Sequence, residues 1–185
     1  MGKRVKKDFF VKPTIKVGKE LLGKYLVRKI DNKKKRRGKI VETEIYKGPE
    51  DKAAHTCNGK TERNKAVWKR GGLLYIYLIY GMHWMLNIST FKKDTPECVL
   101  IRAIDSEDTS FERTNGPGKL TKYFKINKKL YGEDLTTSKK IWLEEGEKEK
   151  IEKSPRINID YAGNKWASKK WRFFIKKYED KLPKP

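Results

Sequence analysis

The feature that most narrows the fold is the run Leu73-Leu74-Tyr75-Ile76-Tyr77-Leu78-Ile79-Tyr80, the longest apolar stretch in the chain. It is far shorter than the roughly 18–20 residues that span a bilayer. Aromatic and β-branched residues bounded by Gly71-Gly72 and Gly81 predict a strand, and apolar side chains on both faces predict a central one. Gly81-Met82 then turns the chain into residues 83–90, so a β-hairpin is expected with Tyr80 close to its tip. Any one of Tyr75, Tyr77 or the neighbouring Met82, His83 and Trp84 reads more readily as core packing than as a stacking platform for bases. Tyr80 is the exception, because a hairpin tip is rarely core.

The rest of the chain alternates strands with short helices. Residues 14–22 predict a helix stopped by Gly23, residues 25–30 a strand, Asp31-Asn32 a turn, and residues 38–46 a second strand. The run Lys33-Lys34-Lys35-Arg36-Arg37 is expected at that hairpin's tip as a solvated loop open to phosphate. Pro49 followed by Glu50 and Asp51 favours the start of a short helix carrying Ala53, Ala54 and His55. Residues 99–103 predict a buried strand, Asn115-Gly116-Pro117-Gly118 a turn, and residues 119–124 a helix. Residues 144–153 are charged and expected to be exposed; 157–159 and 171–175 read as closing strands. No repeat or linker divides the chain, so one mixed α+β domain over 1–185 is expected, with its core over about 9–177 and basic tails at both ends.

Charge brings composition into the argument. The 46 Lys and Arg outnumber 24 Asp and Glu, a formal net charge of +22, which favours capture of an acidic polymer. A Lys-rich proteome would produce the same tint, so charge alone names no chemistry. Hydrophobic residues are only 36% of the chain, yet aromatic residues reach 11%, too many for a disordered segment. With no apolar stretch after the basic start Met1-Gly2-Lys3-Arg4, a soluble intracellular protein is expected, and the distant Cys57 and Cys98 predict reduced thiols. His55, Cys57, His83 and Cys98 match no recognised zinc spacing, and a phosphate-cradling P-loop is missing too.

The segment Ile40-Val41-Glu42-Thr43-Glu44-Ile45-Tyr46 carries the strongest chemical signal. A period of two places Ile40, Glu42, Glu44 and Tyr46 on one face and Val41, Thr43 and Ile45 on the other. Buried carboxylates are costly unless paired or employed. A general base and a salt bridge to one of the many cations are therefore balanced readings of these two Glu residues.

Taken in order, the segments resemble one family, the alkyladenine (3-methyladenine or methylpurine) DNA glycosylases. The likeness runs through Leu21-Leu22-Gly23, residues 40–46, Gly48-Pro49-Glu50-Asp51, Ala53-Ala54-His55, Thr61-Glu62-Arg63-Asn64 and residues 75–87. It continues through Val99-Leu100-Ile101-Arg102-Ala103, Asn115 to Leu120, Ser154-Pro155-Arg156-Ile157, Tyr161-Ala162-Gly163 and Trp171-Arg172-Phe173. Glu62, Met85 and a shorter 105–114 segment depart from the family pattern.

The resemblance implies a curved antiparallel sheet with a protruding hairpin, double-stranded DNA containing damaged purines as partner, a monomer, and neither metal nor cofactor. It implies hydrolysis of the N-glycosidic bond of an alkylated or deaminated purine flipped from the duplex. Glu44 would be the general base, with Glu42 structural and Arg102 beside the attacking water and the nucleotide's phosphate. Tyr46, His55 and Tyr77 would hold the flipped base, the His55 amide would meet its edge, and Asn87 would crowd the 2-amino group of guanine. Tyr80 would fill the gap in the stack, with Met82 supporting it. No Schiff-base lysine is implied. The rival reading is a basic nucleic-acid-binding protein without catalysis.

Overall fold

A computed structural model describes residues 2–184. Its elements are α1 (Lys7–Phe10), α2 (Thr14–Leu21), β1 (Tyr25–Lys29), β2 (Lys35–Lys47), β3 (Leu74–Ile79), β4 (His83–Thr90) and β5 (Glu97–Asp105). They continue with α3 (Pro117–Tyr123), β6 (Ile141–Glu144), β7 (Ile151–Ser154), α4 (Asn164–Ala167) and β8 (Arg172–Ile175). One antiparallel sheet runs β3-β4-β5-β2-β1-β6, with β8 also on β2 and β7 on β8.

The long strand β2 organises the sheet. Along one edge it pairs with β5 from Lys39 to Lys47. Along the other it pairs first with β1, over Lys35 to Lys39, and then with β8, over Glu42 to Glu44. The register with β5 shifts on both sides of Glu42, and such irregularities bend and twist a strand. The change of partner at this bend curls the sheet into a half-barrel. Ile40 lies in the main apolar cluster with Val41 and Ile45 rather than with the carboxylates, because the alternation breaks at the bend.

Behind β2 sits α2. Thr14, Val17, Gly18 and Leu21 are its buried positions, and a Cβ on Gly18 would come within 2.1 Å of Ile45. Only glycine lets the helix approach this closely. Thr43 Oγ1 donates to the Gly18 carbonyl at 3.0 Å, which fixes the inner face of β2. Its other face is thereby aimed away from the core, carrying Glu42, Glu44 and Tyr46.

Several expectations are corrected. β3 is an edge strand, not a central one. Its apolar faces have another cause: Leu74 and Ile76 enter the main core, whereas Tyr75 and Tyr77 line a pocket. Its open edge is covered at the start, where Leu74 N donates to Glu133 O and Gly132 N to Leu74 O. Residues 49–55 form turns rather than a helix, because the Asp51 carboxylate accepts from Lys47 N and Ala53 N and ties the backbone into a tight loop. Lys35, Arg36 and Arg37 belong to β2 rather than to a loop. Residues 157–159 are not a strand; Ile157 N is spent on a side chain, as described below. Within 144–153, Glu144 is buried at the end of β6 and accepts from Arg37 and Trp142, and residues 151–154 form β7.

The terminal segments expected as tails are held down. Val5 is buried at one end, Tyr178 and Leu182 at the other, and Val5 N donates to Leu143 O. A chain poor in hydrophobic residues draws these interspersed ones into its core. Among the described residues no helix is long and apolar enough to cross a membrane.

Candidate active site

Glu44 has no exposed surface, and its two carboxyl oxygens are contacted by Tyr46, Ile157 and Arg102. Its Oε2 accepts from the Tyr46 hydroxyl at 2.9 Å, and its Oε1 accepts from Ile157 N at 2.9 Å. Arg102 Nη1 lies 3.3 Å from Oε1. Hydrogen bonds and a cation offset the cost of desolvating the charge. Burial, and secondarily the Glu44 charge, push the Tyr46 hydroxyl well above its ordinary pKa, so it stays a donor.

Glu42, two residues earlier, has different company. Its Oε1 accepts from Arg102 Nε at 3.0 Å and from Arg172 Nε at 2.5 Å. Two guanidiniums clamp it where the strand bends. Arg102 spans both carboxylates; burial works against its charge, but Glu44 and Glu42 outweigh that and raise its pKa. Glu42 is thus a paired anion within the wall, whereas Glu44 reaches through Tyr46 toward a cavity.

That cavity brings together all four residues expected to hold a base. Tyr46, His55, Tyr77 and Asn87 line it, with Tyr75, Cys98 and Tyr161. The His55 and Tyr77 rings stand edge to face, centroids 4.4 Å apart, and Tyr75 lies 5.1 Å from Tyr77. His55 Nδ1 shares a 2.9 Å hydrogen bond with the Tyr75 hydroxyl, and Asn64 Nδ2 donates to the His55 carbonyl. Asn87 is fixed by donating to Tyr75 O at 3.3 Å. Burial, with Arg63 adding, lowers the His55 pKa and favours the neutral ring. Burial pushes the Cys98 thiol up to about 12, so it remains protonated. The four cysteine and histidine residues form no metal centre; among the described residues no group of three or more His, Cys, Asp or Glu could hold an ion.

Tyr80 and Met82 lie at the tip of the β3–β4 hairpin and are 85% and 70% exposed. Met82 N closes the turn onto Ile79 O, with Tyr80 at φ 50° and Gly81 at φ 68°. Two left-handed central residues suit the twist of a tight hairpin, but for a bulky tyrosine the conformation is strained. Strain of this kind collects at functional sites. The strand leaving the tip is braced: Thr121 Oγ1 of α3 donates to Trp84 O, and Gly118 lies against His83 where a Cβ would come within 3.0 Å.

Four contributors escaped the reading by residue. Arg156 and Asp51, both fully buried, form an ion pair behind the pocket; Arg172 clamps Glu42 from a position 130 residues away. Tyr161 also lines the pocket. All four lie in segments already alike to the family, but nothing local assigns them this work, because each meets residues distant in the chain.

A curled antiparallel sheet thus carries a buried carboxylate next to an aromatic pocket, and a projecting hairpin with an exposed aromatic tip. The model of the methylpurine-DNA glycosylases matches residues 8–179, and the chain belongs to that family. Its relatives include proteins whose names carry the words 3-methyladenine DNA glycosylase. One from Clostridium novyi is 42% identical, covering 94% of this chain and 96% of that protein. One from Natranaerobius thermophilus is 40% identical, covering 91% and 93%. One from Clostridioides difficile is 41% identical, covering 92% of this chain and all of that protein.

Proposed function

We propose that the protein is a monomeric, monofunctional DNA glycosylase that flips alkylated or deaminated purines, such as 3-methyladenine, 7-methylguanine and hypoxanthine, from double-stranded DNA. It hydrolyses their N-glycosidic bond with a water activated by Glu44. The observation that carries this reading is the setting of Glu44: a fully buried carboxylate, bonded to Tyr46 of the aromatic pocket, on the same sheet as an exposed aromatic hairpin. Family membership and the names of the relatives support the substrate class.

In the reaction, water oxygen bonds to C1′ while the bond from C1′ to the base nitrogen breaks, and its electron pair leaves with the base. Glu44 takes the proton that the water loses, and an abasic site remains. Tyr46 and Ile157 N orient the carboxylate, and Arg102 balances its charge against Glu42. Tyr46, His55 and Tyr77 hold the base, an aromatic lining that favours electron-poor rings. Asn87 crowds the 2-amino group of guanine, a penalty that the attraction of the aromatic lining for the cationic ring of 7-methylguanine offsets. Tyr80 occupies the gap in the stack and Met82 supports it, offsetting the few kcal/mol that unstacking costs. The protein would act in the compartment that holds the DNA.

The test is product analysis with duplexes bearing each of the three lesions and no added metal. Free base and an alkali-labile site, without a strand break before alkali, are expected. A nicked strand at the first time point would contradict the absence of lyase activity. Tight binding with no base released would favour a binding protein instead.

A further inference from the structure

The Asp51–Arg156 pair stands behind the pocket wall, not within it. Two bonds join the groups, Nη1 to Oδ2 at 2.6 Å and Nη2 to Oδ1 at 2.9 Å, and neither side chain has exposed surface. The Arg156 guanidinium carbon lies 4.8 Å from the centre of the Tyr46 ring. Tyr46 lines the pocket and Arg156 does not, so the cation packs on a ring that the pocket shares without entering the pocket itself.

We infer that this ion pair sets how strongly the pocket prefers a cationic base over a neutral one. The inference rests on the glycosylase reading above. An aromatic face attracts a cation through its negative quadrupole, and a second cation already packed on the same ring opposes that attraction. Arg156 therefore works against a purine carrying fixed positive charge, such as one methylated at N7. Asp51, bonded to the same guanidinium, cancels most of that opposition. A neutral purine such as hypoxanthine is nearly indifferent to either group. An uncompensated charge roughly 8 Å from the base, at an effective dielectric near 20, is worth roughly tenfold or more in relative affinity.

The pair has a second effect that the test must separate from the first. Asp51 also accepts from Lys47 N and Ala53 N, so it shapes the loop carrying His55. Loss of shape moves both substrates without regard to the sign of the charge removed; loss of charge does not.

The experiment measures single-turnover efficiency on 7-methylguanine and on hypoxanthine in duplex DNA, and takes their ratio within each preparation so that the active fraction cancels. Asp51→Asn, which leaves the cation bare, should lower the ratio about tenfold; Arg156→Met, which leaves the anion bare, should raise it about tenfold. The double variant Asp51→Asn with Arg156→Met should return within about twofold of wild type, since both charges are gone. Shifts in the same direction for both single variants, or none beyond about twofold, would overturn the inference. If a single variant does not fold, the double variant decides, because a buried pair is better tolerated when both charges are removed. A tenfold departure in its ratio would contradict the inference, and a ratio near wild type would support it. Failure of wild type to release either base would instead overturn the glycosylase reading.

Discussion

Glu42 and Glu44 are charged groups without exposed surface, whereas Tyr80 and Met82 are large apolar side chains that stand in solvent. Both arrangements invert the ordinary sorting of residues between interior and surface, and such inversions carry more information than any buried leucine. Their upkeep differs. The carboxylates are held by Arg102, Arg172, Tyr46 and Ile157 N. The tip's conformation rests on its own tight turn and on the brace that α3 gives to the strand behind it. A centre built on many partners is suited to holding one geometry, and a tip with few is suited to entering something else. On the proposed function, chemistry and capture are divided between two places and can be damaged separately.

The largest effect should come from the centre. Glu44→Gln removes the proposed general base and should slow base release about 10²–10⁴-fold under single-turnover conditions. Next in size is stability: Arg172→Met leaves Glu42 with one guanidinium instead of two, and denaturant unfolding should show a loss of about 3–5 kcal/mol. At the tip, Tyr80→Ala should weaken capture of a lesion-containing duplex by about 1–3 kcal/mol in a titration, with the melting temperature unchanged.

A smaller effect concerns pH. The His55 pKa is lowered in the folded protein, first by burial and then by Arg63. The unfolded chain therefore takes up this proton at higher pH, near 6.5, and the stability contributed by neutral His55 is present above that pH and lost as pH falls below it. Melting temperatures at pH 7.5 and 5.5 should differ less in His55→Gln than in wild type. A larger difference in the variant would reverse the sign. Smallest of all, Met82→Ala should reduce lesion capture by less than about 1 kcal/mol, an effect read in the same titration as Tyr80→Ala.

Legibility in the sequence followed locality. The alternation in residues 40–46 placed Glu42, Glu44 and Tyr46 on one face, and Arg102 reaching both carboxylates agrees with that. The hairpin around Gly81 was equally local, and both its strands and its turn are found. What failed depended on distant partners. β3 is apolar on both faces because a pocket, rather than a second layer of core, receives Tyr75 and Tyr77. The helix expected after Pro49 is lost to Asp51, whose partner Arg156 lies 105 residues away. Residues 157–159 look strand-like, yet Ile157 N turns to Glu44 instead of to a neighbouring strand. The resemblance supplied the choice of Glu44 over Glu42, which periodicity left balanced; the geometry adds a physical difference, two guanidiniums on one and a pocket tyrosine on the other.

The division between chemistry and capture is tested most directly by carrying Glu44→Gln and Tyr80→Ala through the same two measurements, affinity for a hypoxanthine duplex and the rate of base release at saturating enzyme. The account predicts that Glu44→Gln binds as tightly as wild type and releases almost nothing, while Tyr80→Ala binds weakly and, once saturated, releases at a rate within about tenfold of wild type. Glu44→Gln releasing base at the wild-type rate, or both variants losing affinity and rate together, would contradict it.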